Sequence, residues 1–317
     1  MTTMTLNDFS KELLNLKSAV IFCHARPDGD TLSCAFALYY AFLKLDKPCK
    51  IVCTDKVAPS NLGWIPFEPS QTLEGDYDGY IAVDTPTLEH LGRFADAFSK
   101  KRKTFAIDHH STNTRYAKYD FILNKPSCTL VIFEIFKRIG VQIDIIIAEY
   151  LLTGLITDTN NFSGAGLDGE VFKAVSEFLH LGANFTKVYD NVVRNVSKEK
   201  AKIFGKALSK IRYFLDDRLA IMTVSQADLK EVGATEDATI GLVDYLTKIS
   251  GVDVGVSLLE AKANFYRISF RSHKTDVAEI ASVFGGGGHK NASGAVLSGY
   301  YEDVIDKLVF NIGNYLL

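Results

Sequence analysis

The sequence predicts an α/β protein: a mostly parallel-sheet domain, a connecting helix, and a smaller α/β domain. Three observations carry this. Short apolar runs rich in β-branched residues alternate with longer helical patterns through the first half. Several of those runs stop abruptly at an acid or a histidine, and in open α/β sheets ligands bind at the carboxyl ends of strands. Near Val196 the pattern changes to a basic helical stretch followed by a second set of strands. The boundaries read as 1–195, 196–216 and 217–317.

Residues 18–24 (SAVIFCH) read as a buried strand ending on His24, and residues 27–30 (PDGD) as a loop. The stretch from Thr31 is a helix, with Asp30 placed to cap it. Residues 50–53 form a second short strand; 80–83 and 104–107 are strands that stop at Asp84 and Asp108. Helical patterns cover 129–139, 145–156 and 170–181. Residues 198–216 form the connecting helix. The second domain then reads strand 219–224, helix 239–249, strands 253–260 and 264–271, helix 276–284, a glycine run, and a final helix 303–316.

Composition removes several classes of function. Of 317 residues, 47% are apolar and 23% charged, with a net charge of −3, which excludes disorder as the main theme. The most apolar stretch, 145–156, contains Glu149 and is too short to span a bilayer. Asp8 and Glu12 stand where a signal peptide would be apolar. The five cysteines, odd in number and without a C-x-x-C pair, read as buried reduced thiols. The expectation is a cytoplasmic protein without a membrane partner. The charge balance argues against wrapping long duplex nucleic acid. A homodimer is among the assemblies the sequence allows. The basic run Lys100–Lys103 reads as a solvated loop before a strand.

The chemistry lies in a set of elements in chain order: His24-x-x-x-Asp28-x-Asp30, then Asp84, then Asp108-His109-His110, then Asp158. Each falls at the end of a predicted strand or helix. Imidazole with carboxylate and no thiolate suits a hard or borderline divalent ion such as Mn²⁺ rather than a structural zinc. So many acids at one sheet edge repel one another unless cations compensate them. Two metal ions sharing one carboxylate would meet that need. A further signal is the run from Gly285 to Gly294 (GGGGHKNASG), whose glycines let backbone N–H groups approach an anion, with His289 as an added donor. Just upstream, Tyr266, Ile268 and Phe270 alternate with Arg267, Ser269 and Arg271, so one face is core and the other carries two arginines.

Taken together, these motifs resemble those of the DHH/DHHA1 phosphoesterases, in particular the nanoRNases that are also 3′-phosphoadenosine-5′-phosphate phosphatases. They are shared more loosely with family II pyrophosphatases and RecJ exonucleases. The resemblance covers essentially the whole chain. It implies one Mn²⁺ on Asp30, Asp84, His109 and Asp158 and a second on His24, Asp28 and Asp84. It implies that Asp108 orients its neighbours, that His110 contacts the scissile phosphate, and that Arg271, Ser272, Gly286, Gly287, Gly288 and His289 bind substrate. The implied partners are short RNA oligonucleotides and small phosphorylated nucleotides, hydrolysed by a metal-activated water. Two departures stand out. The loop after Asp30 usually reads small-aliphatic-Gly-Ser and here is Thr31-Leu32-Ser33-Cys34; the glycine motif usually ends Ala-Ala-Gly and here is Ala292-Ser293-Gly294. Neither removes a ligand. A phosphodiesterase for linear or cyclic dinucleotides and a catalytically silent nucleotide sensor are the other readings, and the complete ligand set weighs against the second.

Overall fold

The structure is a computed structural model that describes residues 4–59, 62–163 and 166–316. The chain divides into two compact units, Met1–Asn195 and Val196–Leu317.

The first unit is built on five parallel strands, β1 (Ala19–Phe22), β2 (Cys49–Val52), β3 (Gly79–Val83), β4 (Thr104–Asp108) and β5 (Tyr119–Ile122), in the order β2-β1-β3-β4-β5. Alternate residues of β1, β2 and β3 feed different cores. Ala19, Ile21 and Cys23 pack with one set of helices, whereas Val20 and Phe22 face Leu91, Phe94 and Phe98 on the other side. A parallel sheet covered on both faces needs such two-sided apolar strands. The first face carries α1 (Leu6–Leu14), α2 (Gly29–Lys44), α4 (Cys128–Ile139), α5 (Ile145–Asp158) and α6 (Gly169–His180). The second carries a 3₁₀ segment, Leu88–Phe94, and α3 (Ala95–Lys100). Helix α5 is buried from Ile147 to Ile156, as its apolar character on every side requires. Gly154 permits its close approach to α2 and α4: a Cβ there would overlap Thr129 and sit 2.5 Å from Asp30 Oδ1. The unit closes with α7 (Phe185–Tyr189) and a π-helical turn, Asp190–Arg194.

The second unit holds a mixed six-stranded sheet in the order β10-β11-β9-β8-β7-β6, in which only β7 and β8 run parallel. Its strands are β6 (Arg212–Phe214), β7 (Leu219–Val224), β8 (Val254–Lys262), β9 (Phe265–Ser272), β10 (Gly287–His289) and β11 (Ala292–Ser298). Helices α11 (Val277–Val283) and α12 (Tyr301–Gly313) cover one face. Helices α8 (Lys198–Ser209), α9 (Gln226–Val232) and α10 (Leu242–Leu246) cover the other.

Several expectations need correction. The connecting helix is shorter than 196–216: α8 ends at Ser209, and Arg212–Phe214 pair with β7 as a strand. Ile203 and Ala207 pack with Ala220 and Met222, so α8 is part of the second unit's core. The 239–249 helix is reduced to α10, because Ile240 is extended and Gly241 is left-handed (φ 89°). Asp28, not Asp30, is the N-cap of α2 and accepts from Thr31 N at 3.0 Å. In the basic run, Lys100 pairs with Asp96 and Lys103 with Asp78, and Lys101 donates to the Tyr77 carbonyl. The cysteines are free; Cys23, Cys34, Cys53 and Cys128 are buried and Cys49 is half-buried.

Candidate metal centre

Sheet register assembles the site. Phe22 pairs with Ala82 and Val83 with Ile107, so His24, Asp84 and Asp108 leave three adjacent strands at one carboxyl edge. The loop after β1 returns Asp28 beside His24, with Nε2 to Oδ2 at 3.8 Å. The first turn of α2 adds Asp30, the segment after β4 adds His109 and His110, and the last residue of α5 is Asp158.

These side chains form three overlapping groups whose candidate ligand atoms lie within 4.8 Å of one another: His24, Asp28 and Asp84; Asp30, His109 and Asp158; and Asp84 with Asp108, His109 and His110. Asp84 links them. Its Oδ2 is 3.9 Å from His24 Nε2, while its Oδ1 is 3.4 Å from His109 Nε2 and 3.8 Å from His110 Nδ1. His109 Nε2 is also 3.4 Å from Asp158 Oδ2. His24 and His109 each engage a backbone carbonyl through Nδ1, at Ala25 (2.9 Å) and Lys125 (2.8 Å), which turns Nε2 toward the acids.

The acids are held differently. Asp30 is buried at the start of α4, where Oδ2 accepts from Cys128 N at 2.5 Å and Oδ1 from Ser127 Oγ and Thr129 N at 3.1 and 3.2 Å. Asp108 is fully buried with both oxygens engaged, Oδ1 by His110 Nδ1 (2.7 Å) and His109 N (2.8 Å), Oδ2 by Asn113 Nδ2 (2.6 Å). Sequence reasoning missed Asn113, Thr31 and the two carbonyls. Asn113 sits in an irregular polar loop where no periodicity marks it, and a carbonyl carries no side-chain signature.

Electrostatics tests whether a cation belongs here. Burial, and then the charge of neighbouring acids, pushes the Asp30 and Asp158 carboxyls well above the usual range; burial also raises Asp84. Burial would lower His24 and His109, but the carboxylates beside them outweigh it and hold both well above the ordinary imidazole value. Asp84 Oδ1 is buried without a hydrogen-bond partner. A buried oxygen with no donor, among acids whose carboxyls are pushed up by burial and by one another's charge, is the environment a divalent ion would satisfy. The donor set fits one.

The second unit contains the other candidates. Arg271 pairs with Ala292 across β9 and β11, and His289 pairs with the same Ala292 across β11 and β10, so one sheet row carries both. Arg271 Nε donates to Asp244 Oδ1 at 2.7 Å. The glycine run is a hairpin rather than an open loop: Gly287 and Gly288 belong to β10, and Gly286 lies against Gly294 and Ala295. Ser272 is buried, donates to the Asp253 carbonyl and accepts from Lys274 N and Thr275 N, so it closes the turn after β9.

Comparison with known proteins agrees with this architecture. The DHH family N-terminal domain matches residues 18–155 and the DHHA1 domain residues 216–316. A bifunctional oligoribonuclease and PAP phosphatase, NrnA, of Thermus thermophilus is 28% identical, covering 90% of this chain and 87% of its own. An uncharacterised protein of Mycoplasma genitalium is 26% identical, covering 92% and 90%. The crystal structure of an exopolyphosphatase-related protein from Bacteroides fragilis shares the fold, with a TM-score of 0.90 at 23% identity over 98% of this chain and 96% of that one. With both domains matched in order over most of its length, the chain belongs to the DHH/DHHA1 family of phosphoesterases and is a hydrolase.

Proposed function

We propose that the protein is a manganese-dependent phosphoesterase that hydrolyses short oligoribonucleotides to mononucleotides and dephosphorylates 3′-phosphoadenosine-5′-phosphate. The observation that carries this is Asp84, one carboxylate facing two ligand groups through different oxygens. The substrate class is supported by the name of the Thermus thermophilus relative.

In this reading Asp30, Asp84, His109 and Asp158 hold one ion, and His24, Asp28 and Asp84 hold another. Bound ions would acidify a water nucleophile and offset charge on the phosphoryl oxygens. Asp108, its own oxygens already taken, orients His110. That contact outweighs the lowering effect of burial and raises the imidazole above its ordinary value, which favours His110 as a donor to an oxygen where charge develops. Arg271 and His289 bind a second phosphate of the substrate, and Gly287, with open space on its side-chain face, lets the backbone approach it.

The test is a product analysis with Mn²⁺ on 5′-labelled RNA dinucleotide, pentanucleotide and long single strand, on 3′-phosphoadenosine-5′-phosphate, and on a cyclic dinucleotide. Asp84→Asn runs alongside. The expected result is mononucleotide release from the short RNAs and phosphate release from the nucleotide, both absent in the variant. Turnover confined to the cyclic dinucleotide would move the protein to signalling, and silence on every substrate with intact metal binding would make it a sensor.

A further inference from the structure

We infer that Thr31 is a positioning residue that divides the two oxygens of Asp84 between the two ligand groups, so that both can be loaded with metal together. This rests on the proposed function in taking two divalent ions to share Asp84.

Thr31 lies in the first turn of α2, directly after Asp30. It is fully buried, and its hydroxyl donates to Asp84 Oδ2 at 2.7 Å. Solvent has little access to the pair, because Asp84 is 2% exposed. Mid-helix threonines commonly turn the hydroxyl back onto a carbonyl one turn earlier. Thr31 instead sends its hydroxyl out of its own helix, to the strand-end carboxylate of Asp84. A β-branched side chain is also restricted about χ1, so few positions are open to Oγ1, and its hydroxyl turns toward Asp84.

The consequence falls on the carboxylate. Backbone alone does not set its plane: Asp84 follows β3 with a left-handed φ of 52°, which aims the side chain at the site but leaves χ2 free. The Thr31 hydrogen bond supplies the missing restraint. It holds Oδ2 on the side of His24 and leaves Oδ1, without a donor, facing His109 and His110. A quarter-turn about χ2 would withdraw both oxygens from these directions. A carboxylate free to turn could still serve one ion, but it would serve two at once poorly.

The experiment uses the full chain stripped of metal with a chelator and titrated with MnCl₂, followed by calorimetry and by electron paramagnetic resonance, whose spectrum distinguishes a coupled manganese pair from isolated ions. Thr31→Val keeps the shape and removes the donor; Thr31→Ser restores it. The wild type is expected to take up two equivalents and show the coupled pair. Thr31→Val is expected to keep one equivalent, to bind the second about ten- to a hundred-fold more weakly, and to lose the coupled signal; Thr31→Ser is expected to recover both. Should Thr31→Val fail to melt cooperatively, Thr31→Ala removes the same hydroxyl without filling its space. A donor-less variant that loads the pair like the wild type would overturn the inference, as would a serine variant as defective as the valine one. A wild type that binds no Mn²⁺ overturns the proposed function and this inference together, whereas a wild type that binds two equivalents with unaffected variants overturns this inference alone.

Discussion

At the scale of single residues, the protein is organised around acids that have been placed where acids do not want to be. Asp84 concentrates the problem, being buried, left-handed in φ, and one oxygen short of a donor. Asp84→Asn should therefore remove the rise in Tm that Mn²⁺ produces, while leaving the metal-free protein at least as stable as the wild type, because a neutral amide relieves the crowding of negative charge. Asp84→Ala should melt below Asp84→Asn by about 1 kcal/mol, since Asn tolerates the left-handed region and Ala does not. Thermal melts of the two variants with and without Mn²⁺ check both statements, and an undiminished Mn²⁺ shift in either would remove Asp84 from the ligand set. These residues were legible in the sequence because acids and imidazoles have side chains of distinctive chemistry and stand at the ends of recognisable strands. Their supports were not. The carbonyls of Ala25 and Lys125 could belong to any residue, and choosing between Asp28 and Asp30 as the cap is beyond propensity, because both are good caps one turn from the same apolar run.

Secondary-structure elements translate that local chemistry into stability, and two of them allow clean tests. Helix α9 opens with a reciprocal cap, Ser225 Oγ accepting from Asp228 N and Asp228 Oδ2 accepting from Ser225 N, and Lys210 after α8 pairs with the same carboxylate at 2.5 Å. Burial alone would raise the Asp228 carboxyl; the Lys210 ion pair and the cap hydrogen bonds reverse this and hold it below its ordinary value of 3.8. A carboxyl lowered on folding contributes stability that is complete above its unfolded pKa and is lost as pH falls through the folded value. The wild type should thus lose Tm on acidification below about pH 4, and Asp228→Asn should show a shallower slope there. Equal slopes would mean the pair does not couple α8 to α9. In the hairpin of β10 and β11, a Cβ at Gly286 would overlap the Gly294 carbonyl, whereas one at Gly287 meets nothing within 4 Å. Gly286→Ala should destabilise the second unit by about 1–3 kcal/mol. Gly287→Ala should leave Tm nearly unchanged while raising KM for nucleotide substrates, if the backbone there meets phosphate. The hairpin was hard to foresee because glycine runs have weak strand propensity, and here pairing with β11 overrides it. Strand β6 was hidden for the opposite reason: Arg212–Phe214 continue a basic apolar pattern that suits a helix equally well until β7 claims it.

For the whole molecule, the relevant fact is that the two units build their hydrophobic cores from separate sets of residues. Every proposed metal ligand, from His24 to Asp158, lies in the first unit. Ligand binding stabilises only what it binds. Calorimetry of the full chain should show Mn²⁺ raising the transition of the first unit while leaving the second where it is. A single transition that moves as one would show instead that the units unfold cooperatively. The two-part organisation was visible in the sequence because the pattern of apolar runs resets near Val196.

The order of the strands has a consequence for how the site comes into being. His24, Asp84 and Asp108 are spatial neighbours only because β1, β3 and β4 lie side by side, and Asp158 arrives from a helix more than a hundred residues after His24. No short segment of the chain contains a workable set of ligands. Metal therefore cannot nucleate folding as it does in small zinc modules, where the ligands sit close together along the chain. Loop closure across these separations must come first, and contacts so distant in sequence form slowly. A chain that has not yet emerged past α5 would lack Asp158, and a metal ion captured by the proposed ligands would report that the sheet has already closed.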